Sequence, residues 1–187
     1  MSSAPLPPID AGGRALFLDR DGTLIIDKVY LSDPAGVEVI PGVIAGLRRA
    51  RELGYRLFLF TNQSGIGRGY HTHDDTHRVN ARMVELMGLG TDLFAEICIA
   101  PEAPHQPSLY RKPSPRFITE TIAKYGLDPS ACWMVGDSAA DLGAALAAGI
   151  RAAAVRTGKV DPKTIREVAA GKVPVYDDFG EFAETLR

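Results

Sequence analysis

The sequence predicts an α/β protein with a doubly wound (Rossmann-like), mostly parallel sheet and helices on both faces. Short apolar segments rich in β-branched and aromatic residues alternate along the chain with segments of helical periodicity, which is the order that builds βαβ units. The apolar segments are continuous rather than alternating, as is typical of parallel strands covered on both faces. With 187 residues, 45% of them hydrophobic, the chain has the length of one domain with a sizeable core.

Six segments are predicted to be strands because each is a short apolar run bounded by polar residues, glycine or a helical pattern. They cover residues 15–19, 55–61, 95–100, 132–137, 152–156 and, with a weaker pattern, 173–176. None of them approaches the roughly 20 apolar residues of a membrane-spanning helix, so we expect no membrane association.

Four helices are predicted between these strands. They cover residues 42–53, 74–87, 115–125 and 139–148. Ser114 is the expected N-cap of the third helix, and Gly54, Gly126 and Gly149 are expected to end the first, third and fourth helices.

Composition and charge argue against several classes of protein. The formal net charge is -2, with 24% charged residues and no long run of one sign, so no basic surface for nucleic acid is expected. The first residues lack the basic start and apolar centre of a secretory signal, and we expect a mobile tail over residues 1–13 and a single domain over 14–187. Two cysteines are too few for a disulfide framework. We therefore expect a cytoplasmic protein, and a monomer.

Polar residues stand where several predicted strands end. Asp19 ends the first strand, and Asp21 follows two residues later. The second strand ends at Thr61 and the fourth at Asp137. Ligands of doubly wound sheets bind at the carboxyl ends of the strands, and side chains two residues apart in an extended segment point the same way. We therefore expect three carboxylates in one site, with Lys112, which precedes the third predicted helix, close to them.

A magnesium ion would explain why three acids share a site. Mg²⁺ takes oxygen ligands and typically joins one or two carboxylates to a phosphate. One aspartate of the first pair can attack phosphorus to form an aspartyl-phosphate. The other can protonate the departing alcohol and later deprotonate water, which is worth roughly 10²- to 10⁴-fold in rate. The Thr61 hydroxyl, nearby backbone N–H groups and the Lys112 ammonium would hold the phosphoryl oxygens.

This set of residues resembles the haloacid dehalogenase (HAD) superfamily of phosphatases. "LDRDGT" is similar to its first motif, Thr61 to its second, Lys112 to its third and "GDSAAD" to its fourth, in the same order. The resemblance covers about residues 15–160 and implies a HAD-like fold.

The resemblance also implies a role for each aspartate. Asp19 would be the nucleophile and Asp21 the general acid and base. Asp19, the backbone carbonyl of Asp21 and Asp137 would hold Mg²⁺. Asp141, one helical turn beyond Asp137, would support the metal site from behind the ligands.

Four segments resemble a narrower family. "FLDRDGTLIID", "TNQSGIGRGY", "RKP" and "VRTGK" are similar to D-glycero-D-manno-heptose 1,7-bisphosphate 7-phosphatases, with histidinol-phosphate phosphatases nearby. This resemblance implies a small phosphorylated sugar as the substrate and no large cap domain. The residues that it places against the substrate are Asp27, Lys28, Val29, Tyr30, Thr61, Asn62, Gln63, Ser64, Arg111, Lys112 and Ser138. Ser138 stands where the heptose enzymes often carry lysine.

The chain departs from that family at a zinc loop. The family commonly carries a Cys-x-His pair and then a Cys-x-Cys pair before its third motif. Here the stretch reads "CIAPEAPHQPSLYRKP", in which Ala100 stands at the place of the histidine and no second cysteine pair follows Cys98. The remaining candidates, Cys98, Glu102 and His105, are fewer than the four ligands of a structural zinc site. We therefore expect no zinc.

Several residues have a functional and a structural interpretation. Arg111 is expected to bind the non-reacting end of the substrate, whereas surface roles are equally open for Arg68 and Lys159. His71, His73 and His77 are spaced like metal ligands but are better explained as the solvated start of a helix.

Four other functions fit parts of this pattern. Histidinol-phosphate phosphatase or another small phosphomonoesterase is the nearest alternative. A receiver domain of a signalling system also uses aspartates, threonine, lysine and Mg²⁺, but its phosphorylated aspartate ends the third strand, which here runs into "CIAPEAP". A catalytically silent phosphosugar-binding protein would not need every catalytic position filled. A phosphomutase would share the aspartyl-phosphate, but without a cap domain water is the expected acceptor.

Overall fold

This computed structural model describes residues 13–158 and 173–187. These residues contain six strands and six α-helices. The strands are β1 (Gly13–Leu18), β2 (Arg56–Asn62), β3 (Glu96–Ala100), β4 (Leu127–Gly136), β5 (Arg151–Val155) and β6 (Val175–Tyr176). The helices are α1 (Val43–Glu52), α2 (Ser64–Gly67), α3 (His73–Met87), α4 (Arg116–Tyr125), α5 (Ala139–Ala148) and α6 (Phe179–Glu184), and a 3₁₀ turn spans Pro34–Gly36.

The strands form one sheet in the order β3-β2-β1-β4-β5-β6, and every pairing is parallel. From β1 the chain adds β2 and β3 on one side. It then crosses to the other side of β1 and adds β4, β5 and β6. The predicted doubly wound sheet is confirmed. The change of direction between β1 and β4 is the position at which such sheets bind ligands.

Residues of β1 belong alternately to two hydrophobic clusters, one on each face of the sheet. Leu16 and Leu18 pack in the cluster that includes buried side chains of α1, α3 and α6. Ala15 and Phe17 pack in the cluster with α4 and α5. Phe17 stacks on Phe58 of β2 at 5.1 Å between ring centroids. Because both faces of β1 are covered, its sequence is a continuous apolar run.

Element bounds differ from the predicted ones in a few places. β4 begins at Leu127, five residues earlier than predicted, because residues near its start pair with Gly13 before a shift of register. Thr72 caps α3 through a reciprocal capping box with Asp75. Ser114 is not the N-cap of α4: Pro115 holds that position, and the Ser114 hydroxyl accepts a hydrogen bond from the Arg116 N–H at 3.3 Å.

Two predictions fall largely or wholly outside the described residues. Of the predicted tail, only Gly13 is described, and it is the first residue of β1. Lys159 lies outside the described residues. Across the described ranges, every helix is too short or too polar to cross a membrane.

Candidate active site

Three buried carboxylates meet where β1 and β4 end. Asp19 follows β1, and its backbone N–H donates to the Val135 carbonyl of β4 at 3.0 Å. Asp137 follows β4, and Asp141 lies in the first turn of α5. Within the described ranges these three aspartates are the one group of ligand-type side chains close enough to share a metal ion, with one oxygen of each within 4.8 Å of the others. Asp141 is close enough to the other two to support an ion there, and it also contacts Lys112.

Glycine lets the chain pass close to Asp137. Gly22 has a φ of 81°, and a Cβ at this position would meet the Asp137 carboxylate at 2.6 Å. Only glycine combines a left-handed backbone with so close an approach. The loop after β1 therefore folds directly over the acid that follows β4.

Lys112 contributes a buried cation to the carboxylate cluster. Its ammonium lies 2.6 Å from an oxygen of Asp19 and 2.6 Å from an oxygen of Asp141, and it donates to the Phe60 carbonyl at 2.6 Å. Burial lowers the pKa of Lys112, but the Asp141 and Asp19 carboxylates outweigh it and raise that pKa above its ordinary value. Lys112 is therefore a permanent cation at physiological pH.

The surroundings of Asp19 disfavour its charged form. Burial raises its pKa well above the ordinary value, Lys112 lowers it in part, and the neighbouring Asp141 and Asp137 raise it further. A carboxylate here gains from any added cation, because burial and like charges both disfavour its ionised form.

Asn62 fixes the backbone of Lys112. The Asn62 amide donates to the Lys112 carbonyl at 3.1 Å and accepts from the Lys112 N–H at 3.0 Å. This side chain, expected to contact the substrate, is thus paired with the protein, although it also lines the pocket described below. The end of β2 and the loop before α4 are joined at this point.

Asp21 lies at the edge of the cluster, with a fifth of its side chain exposed. The Gln63 amide donates to Asp21 at 2.8 Å and to the hydroxyl oxygen of buried Thr61 at 2.8 Å. The guanidinium of Arg20 also donates to Asp21. Arg20 is fully buried and was missed by the sequence reasoning. Its position in the sequence, between two acids at the end of a buried strand, could have identified it as a site residue.

A pocket of about 160 Å³ opens beside Asp21. Its lining includes six of the residues that were expected to contact the substrate: Asp27, Val29, Tyr30, Asn62, Gln63 and Ser64. Val29 and Tyr30 have φ angles of 49° and 58°, which are unusual for side chains of this size. Asp27 stabilises the turn by accepting the Val29 N–H at 2.9 Å. Strained backbone held against a pocket is frequent at functional sites.

Three other residues that are expected to contact the substrate form ion pairs or hydrogen bonds within the protein. Lys28 forms an ion pair with Glu38. Ser138 donates to Asp141 from its backbone N–H at 3.0 Å and from its hydroxyl. Arg111 donates to the Glu102 carbonyl at 3.0 Å. None of the three lines the pocket beside Asp21 as the structure describes it.

The histidines and cysteines give no further metal group among the described residues. His71 is buried, whereas His73 and His77 are exposed on α3. Cys98 lies half-buried in β3. Burial raises the pKa of its thiol to about 12.

The chain is similar to known phosphatases. The HAD-hydrolase-like family model matches residues 109–182. A D-glycero-beta-D-manno-heptose-1,7-bisphosphate 7-phosphatase of Helicobacter pylori is 37% identical over 140 residues, which are 74% of this chain and 80% of the relative. The enzyme of that name from Pseudomonas putida is 30% identical over 174 residues, covering 92% of this chain and 99% of the relative.

A solved structure is similar over the same length. It is that of the D,D-heptose 1,7-bisphosphate phosphatase of B. bronchiseptica complexed with magnesium and phosphate. It superposes with a TM-score of 0.79 at 26% identity, covering 91% of this chain and 96% of that one.

Proposed function

We propose a reaction from one premise: the chain belongs to the HAD phosphatase family that includes the heptose-1,7-bisphosphate 7-phosphatases, and it is a phosphoric monoester hydrolase. The proposed reaction is removal of the 7-phosphate of D-glycero-D-manno-heptose 1,7-bisphosphate through an aspartyl-phosphate. One observation carries the mechanism: buried Asp19 is paired with Lys112, while Asp21, two residues later, lines the adjoining pocket.

Asp19 is the nucleophile. One of its oxygens attacks phosphorus, a bond from that oxygen to phosphorus forms, and the bond from phosphorus to the sugar oxygen breaks. The Lys112 ammonium contacts Asp19 and keeps its positive charge, so it stabilises negative charge on the phosphoryl oxygens as they spread during transfer. The Thr61 hydroxyl adds a hydrogen bond to the same group.

Asp21 is the general acid and base. It gives a proton to the departing sugar oxygen. In the second half of the reaction it takes a proton from the water that attacks phosphorus, the bond from phosphorus to the Asp19 oxygen breaks, and inorganic phosphate leaves. Gln63 holds one oxygen of Asp21 at 2.8 Å. The carboxylate therefore keeps its direction through both halves.

The residues fit a magnesium ion. Three buried carboxylates with oxygens within 4.8 Å of one another form a hard-oxygen donor set. The raised pKa of Asp19 reflects burial first and then the neighbouring like charges, and a cation would offset both. Asp19, the Asp21 carbonyl and Asp137 would hold it. When bound, Mg²⁺ supplies positive charge to the phosphoryl oxygens. In the proposed steps, protons are transferred and bonds form or break only between Asp19, Asp21, the substrate and water.

The substrate binds in the pocket beside Asp21. Its lining combines strained backbone at Val29 and Tyr30 with polar groups from Asp27 and Ser64. Arg111, beyond that lining, would bind the second phosphate, since a planar guanidinium binds a phosphate with two hydrogen bonds. We also expect the enzyme to act as a cytoplasmic monomer without zinc.

A receiver domain is excluded by membership of a phosphatase family. β3 also ends at Ala100 and runs into Pro101 and Glu102, so no aspartate stands at that strand end.

Phosphate release across a panel of phosphate esters tests the proposal. The panel contains D-glycero-D-manno-heptose 1,7-bisphosphate, histidinol phosphate, glucose 6-phosphate and p-nitrophenyl phosphate. We expect the heptose bisphosphate to give the highest kcat/KM, and Asp19→Asn to reduce turnover to background with the fold retained. Asp177→Asn, which removes an exposed carboxylate paired with Arg156, is the matched control. A preference for histidinol phosphate overturns the substrate. Full activity of Asp19→Asn, or of wild type in excess chelator, overturns the mechanism.

A further inference from the structure

Arg20 is a buried cation that the proposed reaction does not use. Its side chain is fully excluded from solvent, the largest to be so among the described residues. A guanidinium cannot lose its proton in a protein, and a buried charge is costly unless it is paired and hydrogen-bonded. Its partners therefore indicate what it does.

Those partners come from the proposed acid and from a helix. Nε of Arg20 donates to one oxygen of Asp21 at 3.1 Å, and Nη2 donates to the other oxygen at 3.1 Å. Nη1 donates to the side-chain oxygen of Asn80 at 2.9 Å. Asn80 lies on α3 and is itself buried. The guanidinium thus joins the carboxylate of its neighbour to a helix 60 residues further along the chain.

The two oxygens of Asp21 differ in their partners. Oδ2 accepts from Arg20 and also from Gln63. Oδ1 accepts only from Arg20, among the residues that the structure describes. Three N–H donors therefore fix the plane and the direction of this carboxyl group.

We propose that Arg20, anchored by Asn80, is a positioning residue that holds the carboxyl group of Asp21 in its orientation beside the pocket. This inference rests on the role of Asp21 in the proposed function. Nε and Nη2 of Arg20 bind the two oxygens of the carboxyl group, and the bond from Nη1 to Asn80 fixes the guanidinium itself.

The leaving group of the substrate separates this role from a structural one. The alcohol of heptose 1,7-bisphosphate needs a proton to depart, whereas p-nitrophenolate departs without one. Because kcat/KM reports the reaction up to transfer of the phosphoryl group to Asp19, a misdirected acid lowers it for the sugar phosphate and leaves it nearly unchanged for p-nitrophenyl phosphate. A general loss of folded protein lowers both equally.

The experiment compares Arg20→Met, Arg20→Lys, Asn80→Ala and Asp21→Asn with wild type on those two substrates. We expect Arg20→Met to lose roughly 10²-fold in kcat/KM on the sugar phosphate and less than about threefold on p-nitrophenyl phosphate. Arg20→Lys keeps the charge but not the planar fork, so its loss should be intermediate. Asn80→Ala, which keeps Arg20, should show the same selectivity with a smaller loss. Arg82→Met, an exposed arginine on α3 paired with Glu85, is the control and should match wild type on both.

The results distinguish failure of the role proposed for Arg20 from failure of the role proposed for Asp21. Equal losses on the two substrates in Arg20→Met overturn the proposal, and if that variant does not fold by circular dichroism, Asn80→Ala and Arg20→Lys are judged by the same criterion. If Asp21→Asn itself shows no selective loss, the proposed role of Asp21 fails and the inference fails with it. If Asp21→Asn is selective and the Arg20 and Asn80 variants are not, only the inference fails.

Discussion

The ammonium of Lys112 lies 2.6 Å from a carboxylate oxygen of Asp19, although 92 residues separate them in the chain and both are almost fully buried. This ion pair joins the loop before α4 to the end of β1. Because the same ammonium also contacts Asp141, it neutralises part of the charge of a cluster that burial would otherwise disfavour.

Removing the Lys112 charge should cost both stability and activity. Lys112→Met leaves the Asp19 and Asp141 carboxylates buried without their cation, and breaking a buried pair costs ~3–5 kcal/mol. We expect a fall of that order in the free energy of unfolding, measured in urea, with loss of phosphatase activity. Lys124→Met removes an exposed lysine paired with Glu96 and should change little. Similar unfolding curves for the two variants would contradict the prediction.

The same ion pair predicts the behaviour of stability in alkali. The folded pKa of Lys112 lies above its ordinary value of 10.5. Its contribution to stability is therefore complete below about pH 10.5 and is lost as the pH rises through the folded pKa, because the unfolded chain gives up this proton first. Wild type should lose more stability above pH 10.5 than Lys112→Met does. Parallel curves of unfolding free energy against pH for the two proteins would argue against it.

Activity should require glycine at position 22 for two reasons. Its backbone is left-handed, and a Cβ there would meet the Asp137 carboxylate. Gly22→Ala puts a Cβ 2.6 Å from the Asp137 carboxylate, whereas Gly54, with a similar φ of 79°, has nothing within 4 Å. Both substitutions carry the cost of a left-handed alanine, about 1–2 kcal/mol. We expect both variants to lose stability but only Gly22→Ala to lose activity, measured as phosphate release at matched folded fractions. Loss of activity in Gly54→Ala as well would show that backbone strain alone is responsible.

Arg111 should act on the remote end of a bisphosphate. Burial lowers the pKa of Arg111, Glu102 raises it in part, and Arg68 lowers it further, so an added anion beside this guanidinium would be favourable. Arg111→Met should raise KM for the heptose bisphosphate by roughly 10- to 100-fold, since a hydrogen bond to a charged group contributes about 1.5–3 kcal/mol.

The matched measurement uses p-nitrophenyl phosphate, which has no second phosphate, and KM for it should change little. Arg116→Met, which removes an exposed arginine paired with Glu120, is the control. Equal effects of Arg111→Met on the two substrates would place Arg111 at the transferred phosphoryl group instead.

The segment that runs from Cys98 of β3 into the following loop should work without zinc. The structure holds it by hydrogen bonds, with Gln106 accepting from the Ala103 N–H at 2.7 Å and Gly67 donating to the Pro101 carbonyl at 2.9 Å. Elemental analysis of protein purified without added zinc should find less than one zinc per chain. A tightly held zinc that is lost together with activity in Cys98→Ser would refute this.

The thiol of Cys98 offers a second measurement. With its pKa raised from 9.0 to about 12 by burial, Cys98 in a Cys132→Ser background should be alkylated at pH 8 roughly 10³-fold more slowly than in unfolded protein, because the thiolate is the reactive form. Rapid alkylation of the folded protein would contradict a buried thiol.

Much of this fold could be predicted from the sequence because its signals are local. A continuous apolar run such as residues 15–18 indicates a strand covered on both faces, and parallel strands bring their carboxyl ends to one edge. For that reason Asp19, Thr61 and Asp137 could be expected at one site. The short β6 was predicted only weakly and α6 not at all, since the 6 residues of α6 are too few for a periodic pattern.

The partners of the side chains were decided by the tertiary structure. Asn62 binds the backbone of Lys112, Ser138 binds Asp141, and Arg20 reaches both Asp21 and Asn80. Such contacts depend on the distances between elements that the chain brings together from far apart, and hydrophobic periodicity contains no information about them. The sequence by itself therefore determined where the acids, the threonine and the lysine stand. Only packing decided which of them neutralise one another, because the cost of burying a charge depends on what lies within about 3 Å of it.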